Sequence, residues 1–283
     1  MVNISGTSTE KRRHYGLWLL TVAIAVLMCV GGWVAVTIAT AREEDQAVAA
    51  LRELGNCEIA YSSGEADSLT PKWVRSKFGD AFLSNIIEVD IWKSALTDDA
   101  MKNLCHMQYL RRLRIDYARI TDAGLTHIEG LRQLESIQLI GCRVNGSGFD
   151  YLRDMTRLRT VILIRCAITD DGLKRVANLA GLEELDVGHT DVADYGLVHV
   201  EKLLQLKRLR LRGTRITDSA MASVARLRNL VILDINSTNV TDAGLKELKQ
   251  MTSLKKLDVR HTSVTDKGIH ELHRALPDLK IVR

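Results

Sequence analysis

The chain of 283 residues is 46% hydrophobic and 26% charged, an ordinary balance for one or two folded domains. Two prolines and 5% aromatic residues argue against a disordered or loop-rich chain and for a regular core of Leu, Ile and Val. A net charge of +4 is too dilute for the dense basic face of a nucleic-acid reader, so no nucleic-acid partner is expected.

Residues 1–14 form a short polar tail that ends near the basic cluster Lys11, Arg12 and Arg13. From Tyr15 to Ala41 the chain then carries no charged residue. About 20 apolar residues in a helix span a bilayer core, so residues 15–41 are predicted to be a single transmembrane signal-anchor helix. Trp18 and Trp33 lie near its ends, where interfacial aromatics belong. The basic flank on one side, against Glu43, Glu44 and Asp45 on the other, places the N-terminus in the cytoplasm and the rest outside it. Ala39-Thr40-Ala41 also fits a signal-peptidase site, but the apolar run is longer than a signal peptide needs. Cys29 is preceded by Met28, a poor match to a lipoprotein site.

Residues 42–85 do not repeat. They read as a helix over 44–54 stopped by Gly55, a short strand at Cys57–Tyr61, and a helix over 71–78 opened by Pro71. This segment is expected to cap the exposed apolar end of the first repeat unit.

From Leu96 the sequence repeats every 24 residues, eight times, so residues 86–283 are assigned to the repeats. An apolar residue followed by Thr-Asp and, two residues on, usually Gly and an apolar residue recurs from Leu96, Ile120, Val144, Ile168, Val192, Ile216, Val240 and Val264. A fixed short period means a solenoid whose units bury their apolar faces only against their neighbours. In the unit Leu110–Leu131, Leu113 and Ile115 point inward from a strand, and Leu125, Ile128 and Leu131 form the inward stripe of a short helix. Asp122 or Thr121 is expected to cap that helix, and Gly124 to leave room where coils approach. The unit at Asn145-Gly146 departs from the marker, and Ala193 replaces Thr in another. Leu276-Pro277-Asp278-Leu279 closes the stack.

This pattern, LxxLxLxxT/CxITDxGLxxL, resembles the leucine-rich repeats of eukaryotic F-box adaptors and of many bacterial surface or membrane-anchored proteins. The resemblance covers about Ile86 to Leu279. It implies an α/β solenoid with a curved parallel sheet on the concave side and short helices on the convex side. It says little about function, and no F-box-like domain precedes the repeats.

The five cysteines make no disulfide framework and no CxxC metal spacing. Cys142 and Cys166 occupy the position that Thr190, Thr214, Thr238 and Thr262 fill later, a column of small, partly buried groups. His189 and His261 lie three coils apart, too far for one metal, and His270 and His273 lack a third ligand. No GxSxG, HExxH or Walker-type sequence is present, so neither an enzyme nor a cofactor is expected.

On the concave face, residues 24 apart sit side by side about 4.8 Å apart. Glu88 beside Arg112, Asp90 beside Arg114, Glu184 beside Arg208, and Arg210 between Asp186 and Asp234 read as a lateral ladder of ion pairs. Arg212 and Arg260 are flanked by Gly188 and Asn236 rather than by acids. Ile140, Ile162 and Ile164 present three contiguous apolar groups to solvent, as the centre of a protein-binding site does. The candidate partner-binding residues are therefore Ile140, Ile162, Ile164, Arg212, Arg260 and Trp92. The function expected is a membrane-anchored, non-enzymatic scaffold that binds a protein on its concave face. A self-associating structural protein of the envelope, or a binder of an anionic ligand such as acidic polysaccharide, is the alternative.

Overall fold

The structure, a computed structural model, describes residue 28 and residues 39–62, 85–93 and 95–283. The apolar run at 15–41 lies outside the described residues except for 28 and 39–41, and the helix expected over 71–78 lies outside them entirely. Among the described residues no helix is long and apolar enough to cross a membrane. The chain divides into two compact units, Met1–Gln46 and Ala47–Arg283, and the repeats belong to the second.

In the second unit, residues 47–53 are helical (α1). Gly55 ends it at φ 131°, a backbone open to glycine. Ala47, Val48 and Leu51 are buried in the core, so this helical end closes one end of the apolar stack. Strand β1 (Asn56–Tyr61) then pairs antiparallel with β2 (Ile86–Trp92).

From β2 onward every neighbouring pair is parallel and shifted by 24 residues. Eight strands succeed it: β3 (Arg112–Asp116), β4 (Ser136–Ile140), β5 (Thr160–Ile162), β6 (Glu184–Asp186), β7 (Arg208–Arg210), β8 (Ile232–Asp234), β9 (Lys256–Asp258) and β10 (Lys280–Val282). They lie in chain order in one ten-stranded sheet with β1 and β2. Glu88 pairs with Arg112, Arg112 with Ser136, and the register continues without a slip to Leu257 beside Ile281. The spacing seen in the sequence is thus the spacing of the ladder. Inward residues such as Leu113, Ile115, Leu185 and Leu209 are fully buried, as are the facing helical positions Leu125, Ile128 and Leu197.

The face opposite the sheet differs from expectation in its first half. Asp99–His106, Gly124–Ile128 and Ser147–Leu152 are 3₁₀ segments. α-Helices start only at α2 (Asp170–Val176), succeeded by α3 (Asp194–Val200), α4 (Asp218–Val224), α5 (Asp242–Glu247) and α6 (Asp266–Ala275). The pentapeptide TDAGL occurs in both kinds, at Thr121–Leu125 and Thr241–Leu245. The residues after it differ. Thr126 and His127 are weaker helix formers than Lys246 and Glu247, and the Thr126 hydroxyl donates to the Ala123 carbonyl at 2.7 Å.

The recurring aspartates have another role than the one the spacing suggests. From Asp170 onward they stand at the first helical position, and in early and late coils alike their carboxylates reach forward to the next coil. Asp218 accepts from the Thr241 backbone N–H at 2.8 Å, the Thr241 hydroxyl at 2.7 Å and the Gly244 N–H at 2.9 Å. Asp98, Asp194 and Asp242 bind Thr121, Thr217 and Thr265 in the same two-point way. The threonines do the capping: Thr217, Thr241 and Thr265 accept from backbone N–H groups of their own helices. One hydroxyl therefore donates to the coil behind and accepts within its own coil.

The glycine of the marker is required by this link. A Cβ at Gly244 would stand 2.5 Å from the Asp218 carboxylate, and one at Gly268 would stand 2.2 Å from that of Asp242. The chain breaks the rule at one junction. Gly146 replaces the aspartate, and the backbones close directly, so that a Cβ on Gly172 would lie 2.0 Å from the Asn145 carbonyl.

The cysteine column is buried as expected and all described cysteines are free thiols. Thr190, Thr214 and Thr238 donate to the carbonyl three residues back at 2.6 Å. Cys142 and Cys166 instead donate to the preceding coil, to the Ile115 and Leu139 carbonyls. Burial pushes the Cys166 thiol up to about 12.

Candidate functional site

The solvent face of the sheet is built from residues that alternate with the buried ones. Ile140 ends β4, Ile162 ends β5, and Ile164 stands two residues further on; each is partly exposed while Leu139, Val161 and Leu163 are fully buried. Gln138 pairs with Ile162, and the Gly141 N–H donates to the Ile164 carbonyl, so the three isoleucines share adjacent coils. The structure brings them together.

Beside them stands a residue that strand alternation alone does not flag. In every coil the residue just after this strand position has positive φ: Lys93, Tyr117, Gly141, Arg165, His189, Gly213, Ser237 and His261. Tyr117, at φ 54°, is 50% exposed and lies over Gly141, where a Cβ would meet its ring at 2.6 Å. Its hydroxyl accepts from the Arg165 guanidinium at 3.1 Å, bridging two coils. A glycine 24 residues after an aromatic, both at the coil's turning point, is the sequence signal for this arrangement.

The charged ladder is present with altered partners. Arg112 binds Glu88 at 2.5 Å and holds its carboxyl below the usual range. Arg208 reaches Glu184 at 3.4 Å. Arg114, however, turns along its own strand and binds Asp116 at 2.7 Å rather than Asp90. Arg210 binds Glu184 and lies 4.0 Å from Asp186. Arg260 also corrects an expectation, because the acid two residues back on its own strand neutralises it: Asp258 holds it at 2.7 Å through two guanidinium nitrogens. Burial alone would raise the Asp258 carboxyl, but the Arg260 bonds outweigh it and hold it low. Arg212 is exposed and makes no ion pair or side-chain hydrogen bond among the described residues. It lies two coils from Ile164, whereas Arg260 lies four coils away.

Trp92 sits in the same column on the other side, two coils from Ile140, pairing with Asp116 and, across the antiparallel edge, with Asn56. It lines a groove of about 370 Å³ with Glu58, Asp90, Lys93, Arg114 and Tyr117. Glu58 and Asp90 are direct cross-strand partners, an unfavourable pairing of like charges. Burial, then Glu88, raises the Asp90 carboxyl above its ordinary value, with Arg114 opposing and Glu58 and Asp116 adding to the rise.

Among the described residues no group of three His, Cys, Asp or Glu side chains could hold a metal ion. His189 lies over Gly213, and the His270 ring nitrogen contacts the Asp266 carbonyl at 2.7 Å within its own helix.

A family model described as "Leucine Rich repeat" matches residues 226–249 and 250–272. Together with the unbroken ladder of coils, this decides the architecture. The chain has a leucine-rich repeat fold. Its fold is similar to that of internalin C2 from Listeria monocytogenes, with a TM-score of 0.55 and 18% identity over 70% of this chain and 81% of that one. An internalin (inlF) of the same organism aligns at 20% identity over 64% of this chain, with a TM-score of 0.49. A leucine-rich repeat protein of Leptospira interrogans aligns at 16% identity over 64%, with a TM-score of 0.43. The chain spans 56% and 57% of the lengths of these last two. No curated protein matches the chain significantly.

Proposed function

We propose that this leucine-rich repeat chain is a non-enzymatic scaffold that binds a protein partner on the concave, solvent face of its sheet. The observation that carries the reading is the cluster of Ile140, Ile162 and Ile164 on adjacent coils, partly exposed and bordered by Tyr117. Scattered exposed apolar residues need no explanation, whereas a contiguous group inside a charged surface is what an interface centre requires. A photo-crosslinking residue placed at Ile164 in the full-length chain should trap a discrete protein in cells, and one placed at Lys174 on the helical face should not. Equal trapping at both positions, or none at 164, would remove the concave-face reading.

The same proposal holds the scaffold at a membrane through residues 15–41, with the repeats outside the cytoplasm. Its support is the uncharged run and the basic cluster before it. A membrane-impermeant thiol reagent should label Cys introduced at Ser62 and not at Thr7 in intact cells. Labelling at Thr7 alone would reverse the orientation, and a soluble product beginning at Arg42 would replace the anchor by a cleaved leader.

A further inference from the structure

The solvent face of the sheet has a polarity along the stacking direction that the ion-pair ladder conceals. Most of its charges are neutralised by neighbours: Arg112 by Glu88, Arg114 by Asp116, Arg208 and Arg210 by Glu184 and Asp186 together, and Arg260 by Asp258. Among the described residues, two acids without an ion pair stand on one side of the isoleucines, and two arginines without one, Arg165 next to Ile164 and Arg212 beyond it, stand at them and on the other side. Asp90 and Glu58 make no side-chain hydrogen bond or ion pair among those residues, face each other across β1 and β2, and share a groove with Trp92, with Lys93 and with Arg114, whose charge Asp116 already holds. Arg212, exposed and without an ion pair among those residues although its charge acts on Asp186, stands on the other side next to Gly188, which has no side chain to cover it.

From these positions we infer that the partner is a protein segment with an apolar anchor on the isoleucines, a basic side chain in the Asp90–Glu58–Trp92 groove and a carboxylate on Arg212. The inference rests on the concave-face reading above and adds the partner's chemistry and direction. Like charges face each other at Glu58 and Asp90 without an ion-pair partner among the described residues, so an incoming ammonium or guanidinium group relieves a repulsion already present. Trp92 gives that cation an aromatic wall. Gly188 leaves the Arg212 guanidinium approachable from the isoleucine side.

The coil spacing sets the length. Two coils separate Ile164 from Arg212 and two separate Trp92 from Ile140, about 10 Å in each direction. An extended segment advances about 3.3 Å per residue, so the basic and acidic residues fall about three positions to either side of the anchor. The chain direction of the segment is fixed by which end carries the cation.

The probe is a phage library of random twelve-residue peptides, selected on the purified full-length chain and counter-selected on its Ile162→Ser/Ile164→Ser variant. Enriched peptides should carry the pattern basic, apolar, acidic at those spacings. Arg212→Glu should weaken them about tenfold or more, since like-charge juxtaposition at an interface is strongly unfavourable. A Lys in place of the peptide's acidic residue should restore binding to that variant, which excludes misfolding as the cause. Asp90→Lys should act in the same way on the basic position.

Enriched peptides that need the isoleucines but keep their affinity for both charge variants would overturn the polarity and leave the concave-face reading standing. Peptides that survive the isoleucine changes and are lost with Arg212→Glu would overturn both in favour of an anionic ligand. A library that yields no isoleucine-dependent sequence would overturn the extended-segment partner.

Discussion

Replacing Asp218 by Ala removes one carboxylate and leaves the Thr241 N–H, the Thr241 hydroxyl and the Gly244 N–H without their acceptor. Losing the partner of a buried or half-buried donor costs about 1–3 kcal/mol, and chemical unfolding of the chain should register a loss of that size. Gly244→Ala should also destabilise, because its Cβ would collide with the same carboxylate. The two changes together should cost less than their sum, since removing the carboxylate relieves the collision. Additive losses in a double-mutant cycle would show that the glycine is needed for another reason.

Cys166 offers a test with pH. Its thiol is raised from about 9 to about 12 by burial, so the unfolded chain releases this proton more readily than the folded one. For a raised pKa the contribution to stability is full below the unfolded value and falls as pH rises through the folded one. Stability should therefore decline from pH 9 towards 12, and Cys166→Thr should flatten that decline. Threonine is the natural choice because Thr190, Thr214 and Thr238 already fill the column. An unchanged alkaline profile would remove Cys166 as its source.

At the scale of the element, each strand from β2 to β9 carries a fully buried apolar side chain. Leu185 is fully buried in β6, and Leu185→Ala should cost about 2–5 kcal/mol. Each coil contacts only its neighbours, so increased hydrogen exchange should spread to β5 and β7 and fade beyond them. Uniform exchange along the whole stack would contradict that locality.

The strands are the most legible elements in the sequence because one rule, inward at period two and repeated at 24, determines both face and register. The convex segments are less legible. TDAGL forms a 3₁₀ turn in one coil and an α-helix in another, and only the residues after it distinguish them. The aspartates mislead for a related reason: a Thr-Asp pair before a helix matches a cap locally, and the next coil's competing donors are invisible in a single unit. The Arg260–Asp258 bond escapes a reading of lateral neighbours in the same way, because the partner stands two residues away on the same face.

At the scale of the molecule, the junction between Gly146 and Thr169 is singular. Elsewhere an aspartate ties the marker of one coil to the next, and here it is absent. Thr121, Ala193, Thr217, Thr241 and Thr265 all donate their backbone N–H to such a carboxylate. The Thr169 amide should therefore exchange with solvent fastest in this column. Slow exchange at Thr169 would mean that close backbone packing at Gly172 protects it as well as a carboxylate does. The same junction separates the 3₁₀ half from the α-helical half and lies behind the isoleucines, so a partner held by both Ile140 and Ile164 would engage the coils on both sides of it.

The link between aspartate, threonine and glycine makes each unit a matching plug and socket. Asp194 plugs into Thr217, Asp218 into Thr241 and Asp242 into Thr265, so the end of one unit fits the start of any other of its kind. A copy of residues 218–241 inserted after Thr241 presents Asp218 to its own Thr241 copy, and the copied sequence resumes with Asp242 facing Thr265 as before. The chain can therefore be lengthened or shortened in whole units at its C-terminal half without redesigning any seam. An insertion of any other length between a plug and its socket separates that pair and leaves the seams beyond it matched.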